Sequence, residues 1–198
     1  MSRRWILLIL VLVLVLSACA KPSPTVETEM ERNDHVVELP APDKITPRNV
    51  RAYLNRDDSL YIDIRNYEEY VQGHLRNFEL IPFSALIYAY QAETEPNSVQ
   101  LYGGFPEAPI PVFQESDEVL EKLFPKDKNL FIICRSGNRS AAMVHLLIER
   151  GWDKENLYDI GGILDYERNP EYQDLLVSWP MFRSIANYAV QGLTRIER

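Results

Sequence analysis

Asn129-Leu130-Phe131-Ile132-Ile133, then Cys134-Arg135-Ser136-Gly137-Asn138-Arg139-Ser140, then Ala141-Ala142-Met143-Val144-His145-Leu146-Leu147-Ile148-Glu149-Arg150-Gly151 is the most informative stretch of this 198-residue chain. The first run is apolar and reads as a buried strand. The last reads as a helix, apolar on nearly all sides and so deeply buried, with Gly just past its end. A cysteine between a strand and a helix N-terminus sits where unpaired backbone N–H groups and the positive end of the helix dipole converge. Two guanidiniums and a flexible glycine surround it. These neighbours favour the anionic form of sulfur, which is the nucleophile. An inert buried thiol would have no need of the flanking Arg, Ser, Gly and Asn.

Working outward, the rest of the chain alternates strand and helix in the manner of a parallel sheet. Residues 46–55 read as a helix, with Thr46 as N-cap and Pro47 in the first turn. Residues 60–64 read as a strand, 67–72 as a short helix and 80–81 as a brief strand ended by Pro82. Ser116 caps a helix running to about Phe124, and 156–160 form the last strand. In an open parallel sheet ligands bind outside the carboxyl ends of the strands. Cys134 and Asp63 both lie at such ends, so the topology brings them together.

The C-x-x-G-x-R-S loop resembles the active-site loop of single-domain rhodaneses, the thiosulfate sulfurtransferase family. Tyr61-Ile62-Asp63-Ile64-Arg65 with Glu68-Glu69-Tyr70 resembles that family's D-x-R…E-[FY] segment. Gly73-His74-Leu75 with Ile81-Pro82 resembles its G-H-I…N-I-P segment. Leu157-Tyr158-Asp159-Ile160-Gly161-Gly162-Ile163 resembles its closing strand and double-glycine turn. Together these motifs cover roughly residues 45–167. The chain departs from the family at Arg76-Asn77-Phe78, where Pro-Gly-Ala is usual, in the length of the stretch after Pro82, and in continuing past the double glycine.

The resemblance implies an α/β, rhodanese-like three-layer fold with a central parallel sheet flanked by helices. It also implies a ping-pong reaction. Cys134 takes the outer sulfur of thiosulfate or a persulfide donor and passes it to a thiol or cyanide. Arg135 is then the contact for the anionic donor. Arg139 also binds the donor and is partly structural, the alternative being that one of the two only braces the loop against a carboxylate such as Asp63. Ser136, Gly137, Asn138 and Ser140 serve as loop donors, with Gly137 allowing positive φ. Asp63 and Arg65 read as supporting residues, Arg65 pairing with Glu69. His74 reads as a packing and hydrogen-bonding residue, with a Cys-His dyad as the alternative. No cofactor is implied, and three scattered His with one remaining Cys give no metal-ligand pattern.

Two other readings stay open. A rhodanese-fold sulfur-carrier or binding module would keep the fold without turnover. Cysteine phosphatases and arsenate reductases also use a strand-loop-helix anion cradle, but with C-x5-R; here Arg139 closes C-x4-R and Ile133 precedes the cysteine.

At the N-terminus, Arg3 and Arg4 precede the Leu/Ile/Val run of residues 5–16, and Leu16-Ser17-Ala18-Cys19 ends it. This is the pattern of a secretory signal, too short and wrongly flanked for a stable span; an uncleaved helix anchor is the alternative. The ending resembles the bacterial lipobox, so residues 1–18 are expected to be removed and Cys19 to carry acyl chains such as palmitate. Residues 19–44, rich in Pro, Glu, Thr and Lys, read as a flexible tether with a short strand at 36–39. The protein is then an exported lipoprotein, held by its lipid on the extracytoplasmic side.

Removing residues 1–18 takes away Arg3 and Arg4 and no acids, moving the net charge from −8 to −10. So acidic a surface does not seek nucleic acid or anionic lipid. With Cys19 lipidated, Cys134 is the only thiol left of two cysteines. A thiolate working in an oxidising compartment implies a thiol-redox or persulfide-supplying protein partner. The domain proper is read as 45–198, with an aromatic insertion at 84–115 and a C-terminal helical extension from Trp179, where Phe182, Ile185, Ala186 and Ala189 have helical spacing. The insertion is expected either to wall the pocket over Cys134 or to pack over a sheet edge.

Overall fold

The computed structural model describes residues 37–105, 107–178 and 190–198. The signal segment, Cys19, the tether up to residue 36, Pro106 and residues 179–189 lie outside the described residues. The described elements are β1 (Ser59–Asp63), α1 (Tyr67–Gln72), β2 (His74–Leu75), β3 (Glu79–Leu80), β4 (Tyr102–Phe105), β5 (Ala108–Pro111), α2 (Ser116–Leu123), β6 (Asn129–Cys134), α3 (Asn138–Glu149), β7 (Leu157–Gly162), α4 (Ile163–Glu167) and β8 (Leu176–Val177). Strands β3, β1, β6 and β7 form, in that order, a parallel sheet. The expected α/β fold with a central parallel sheet is the one the chain adopts.

Both faces of this sheet are buried, which is why β6 is an unbroken apolar run. Successive side chains alternate between faces. Leu130, Ile132 and Cys134 join Ile62, Met143, Leu146 and Leu147 in one core cluster. Phe131 and Ile133 join Tyr61, Tyr158, Ile160 and Tyr166 in the other. The register sets Ile62 opposite Ile132 and Asp63 opposite Ile133, so the carboxyl ends of β1 and β6 are level.

Several expectations need correction. Helix α3 is buried along one side only: Met143, Leu146 and Leu147 face the sheet, while Ile148 is 39% exposed and His145 and Glu149 face solvent. It is an outer layer, and among the described residues Ala141, His145, Ile148 and Glu149 form its exposed side. Residues 46–55 form only a 3-10 turn at Val50–Tyr53, because the Asn49 side chain bonds Thr46 N–H (2.8 Å) and Lys44 C=O (2.9 Å) and holds a tighter turn. Ser116 is the first residue of α2 rather than its cap. Its hydroxyl donates to Leu101 C=O (2.7 Å) and accepts from Phe113 N–H (3.0 Å). Residues 37–39 form no strand.

The 84–115 segment is held by its own hairpin and by contacts to α2, α3 and the tail. A π-type turn (Phe83–Ile87) leads to Tyr88, which bridges Tyr102, and β4 pairs with β5 as a hairpin. Tyr88 OH donates to Gly104 C=O at 2.6 Å. Tyr102 OH donates to Asp117, which also pairs with Arg150. Phe83 and Tyr88 enclose a small apolar hollow against Ala142 and Leu146 of α3. The segment thus lies along α2 and α3. Among the described residues, its hydrogen bonds, ion pairs and ring contacts reach no residue of the 134–140 loop.

In the described part of the tail, residues 190–198 contain no helix. Residues 194–196 run antiparallel to 112–114, with Gln114 N–H to Thr194 C=O and Ile196 N–H to Val112 C=O, both 2.9 Å. The helix expected from the spacing of Phe182, Ile185, Ala186 and Ala189 lies outside the described residues.

Candidate active site

At the end of β6 the pairing with β7 shifts, and Cys134 comes to lie opposite Gly162. The chain then leaves the sheet through Arg135 and Ser136, and turns at Gly137 (φ 97°), which caps α3. An L side chain is strained at that φ, so Gly is required. The turn folds back on the cysteine: Gly137 N–H donates to Cys134 Sγ at 3.1 Å. Cys134 is 1% exposed, while Arg135, Ser136 and Asn138 around it are exposed.

The double glycine is the floor of this loop. A Cβ on Gly162 would stand 2.4 Å from Arg135 O and 2.5 Å from Ser136 Cα, so only glycine permits the approach. Leu164 N–H bonds Arg135 C=O at 3.4 Å. Ser140, expected as a donor to ligand, is buried, and its hydroxyl is engaged by Gly137 C=O (2.9 Å) and Gly161 C=O (3.4 Å). It ties the start of α3 to the floor.

The ion pairs differ from those expected. Arg65 does not take Glu69. Its guanidinium grips Asp63 through both carboxylate oxygens (2.7–3.0 Å) and donates to Gly73 C=O (2.6 Å), all in the interior. Burial pushes the Asp63 carboxyl above its ordinary value, and the bonds from Arg65 pull against that. Arg65 thereby joins the carboxyl end of β1 to the start of β2. The brace of the loop is Glu69, not Asp63: Arg139 donates to both of its oxygens at 2.9 Å. Arg135 Nη1 approaches Glu69 to 3.8 Å with its side chain 63% exposed.

Sequence reasoning missed Glu69 as part of the loop. The available signal was Asn66-x-x-Glu69, a capping box in which Asn66 N–H donates to Glu69 Oε2 at 3.1 Å. That bond aims the carboxylate across α1 toward Arg139. His74 is buried, hydrogen-bonded through Nδ1 to Tyr70 C=O (3.0 Å) and stacked on the Tyr70 ring at 3.7 Å. Burial lowers its pKa from the ordinary value. Among the described residues no group of three or more His, Cys, Asp or Glu could hold a metal.

The arrangement is a buried sulfur under a backbone N–H, a loop held by glycines and a carboxylate, and an exposed cation at the rim. The rhodanese-like domain family model matches residues 46–169. The tRNA uridine(34) hydroxylase of Escherichia fergusonii is 32% identical over 132 residues, 65% of this chain and 29% of that protein. That of Pectobacterium carotovorum is 27% identical over 139 residues, 65% of this chain and 32% of the relative. The chain thus spans about a third of the length of these relatives. Among solved structures, it resembles a rhodanese-like domain protein from Staphylococcus aureus (21% identity, TM-score 0.39, 61% of this chain and 87% of that one). It also resembles the Saccharomyces cerevisiae single-domain sulfurtransferase RDL2 (23%, 0.39, 65% and 91%).

Proposed function

The chain belongs to the rhodanese-like domain family, and from that premise we propose that it is a sulfurtransferase working through a persulfide on Cys134. The thiolate Sγ attacks the outer sulfur of a small anionic donor such as thiosulfate or a persulfide. The Sγ–S bond forms as the donor's S–S bond breaks, and the electron pair leaves with sulfite or a thiolate. An acceptor thiolate or cyanide then attacks the outer sulfur and restores Cys134. Two unlike substrates use one small site in turn, which gives ping-pong kinetics.

The observation that carries this reading is the Gly137 N–H aimed at Sγ from 3.1 Å. A donor fixed in place stabilises negative sulfur before and after transfer without reorganising. Exposed Arg135 is the contact offered to the donor. The test is Cys134→Ser, in which the loop keeps its glycines and the Glu69 brace. Thiosulfate:cyanide transfer should vanish while the circular dichroism spectrum is retained. Activity within a few-fold of wild type would contradict the assignment.

The hydroxylation named for the relatives is not carried over. The chain spans about a third of their length, and a net charge of −8 opposes RNA. We propose further that Cys19 is lipidated and holds the protein on the extracytoplasmic side, where a thiol-redox or persulfide-supplying protein serves Cys134. Cys19→Ala should then release the protein from the membrane fraction; a cleaved, membrane-bound mutant would contradict the anchor.

A further inference from the structure

The charges around the loop nearly cancel, and one residue is responsible. Arg135 and Arg139 are the loop's two guanidiniums, and Glu69 sits within 4 Å of both. Its carboxylate has no freedom to turn away. Arg139 holds both oxygens, and Asn66 N–H holds Oε2 as well. Its side chain is only 18% exposed, so solvent screens it little. Burial opposes its ionisation, but the bonds from Arg139 and Asn66 outweigh burial and hold the carboxyl below the ordinary range. It is therefore anionic at neutral pH.

Among the described residues, no further cation is ion-paired to this cluster. Asp63 and Arg65 neutralise each other in the interior. Asp159 accepts from Gly161 N–H at 3.0 Å, under the loop, which adds an acid on the floor side. Counted over side chains, two guanidiniums, the Glu69 carboxylate and the Cys134 thiolate leave the empty loop without net charge, and the positive end of α3 is the attraction that remains. A dianionic donor would then have to enter a neutral site on an acidic protein.

We propose that Glu69 sets the charge of the sulfur donor, making the site favour singly charged sulfane donors, such as thiosulfonates and low-charge organic persulfides, over the thiosulfate dianion. The inference rests on the sulfur-transfer reading above. With a thiosulfonate, Cys134–S⁻ attacks the terminal sulfur of R–SO₂–S⁻. The new S–S bond forms, the sulfur–sulfonyl bond breaks, and the sulfinate R–SO₂⁻ leaves with the electron pair, so that Cys134–S–S⁻ remains. No oxidant or proton is consumed.

The test compares thiosulfate with benzenethiosulfonate as donors, cyanide as acceptor, at low and constant ionic strength. The readout is the ratio of kcat/KM for the two donors, because intrinsic leaving-group reactivity cancels between variants. Glu69→Gln keeps the shape and removes the charge, and should raise the thiosulfate:thiosulfonate ratio about tenfold, mostly through KM. Glu69→Asp keeps the charge and should keep the wild-type ratio even if the shorter side chain slows both donors. Arg135→Gln, at an exposed position that tolerates replacement, should lower the ratio whether or not Glu69→Gln folds. A ratio unchanged within twofold in Glu69→Gln, or moved equally by Glu69→Asp, overturns the inference alone. An unmoved ratio in Arg135→Gln overturns it as well. Absence of transfer from either donor in wild type overturns the sulfur-transfer reading, and this inference with it.

Discussion

Gly162 has no space for a methyl group, and the atoms that deny it, Arg135 O and Ser136 Cα, are backbone of the loop itself. Neither can yield without moving the loop off its floor. Gly162→Ala should therefore cost about 1–3 kcal/mol and reduce sulfur transfer, as read by urea titration and initial rates. Gly73→Ala is the matched control, since a methyl there meets nothing within 4 Å and its φ of 172° suits any residue. Equal loss in the two variants would mean that the double glycine does not support the loop. His74 gives a second prediction. Its native pKa is lowered, so the unfolded chain binds the proton more readily below the ordinary value of 6.5. Stability is then full above pH 6.5 and falls as pH drops below it. His74→Gln should lack that part of the acid loss in paired thermal melts, and identical pH slopes would contradict it. At this scale the motif residues were legible in the sequence, but several of their partners were not. Arg65, Glu69, Arg139 and Ser140 are each placed by contacts that spacing alone does not encode.

Elements were legible where a period or a run was long enough to read. Strands β1 and β6 emerged from apolar runs, whereas β2, β8 and the β4–β5 hairpin are too short to show one. Those pieces exist because of distant partners. Arg195 is the clearest case. Its guanidinium donates to Ala92 C=O (2.6 Å), Glu95 C=O (2.7 Å) and Ser98 C=O (3.4 Å), and lies over the Phe113 ring at 5.8 Å. One side chain from the tail thus closes the turn of the insertion. Arg195→Ala should speed amide exchange across residues 92–101 and 112–114 while leaving β1 and β6 unchanged. Exchange that rises equally in the central strands would show that the insertion and the sheet open as one unit.

For the whole molecule, the parallel sheet buried on both faces explains why the chemistry gathers at one edge. The carboxyl ends of β1 and β6 stop level, and the candidate site sits at those strand ends and just beyond them: Cys134, the Arg65–Asp63 grip, the Glu69 brace and the Gly161–Gly162 floor. The insertion adds mass along α2 and α3, and Glu69 offsets the loop cations on a chain whose net charge is −8. The central claim is that Cys134 carries the transferred sulfur. The direct measurement is intact-mass and peptide mass spectrometry of the full chain after exposure to thiosulfate or benzenethiosulfonate. The account predicts one added sulfur atom, on Cys134, lost on treatment with cyanide and absent from Cys134→Ser. A folded protein that gains no sulfur at Cys134 from either donor, or a Cys134→Ser variant that gains as much, would contradict it.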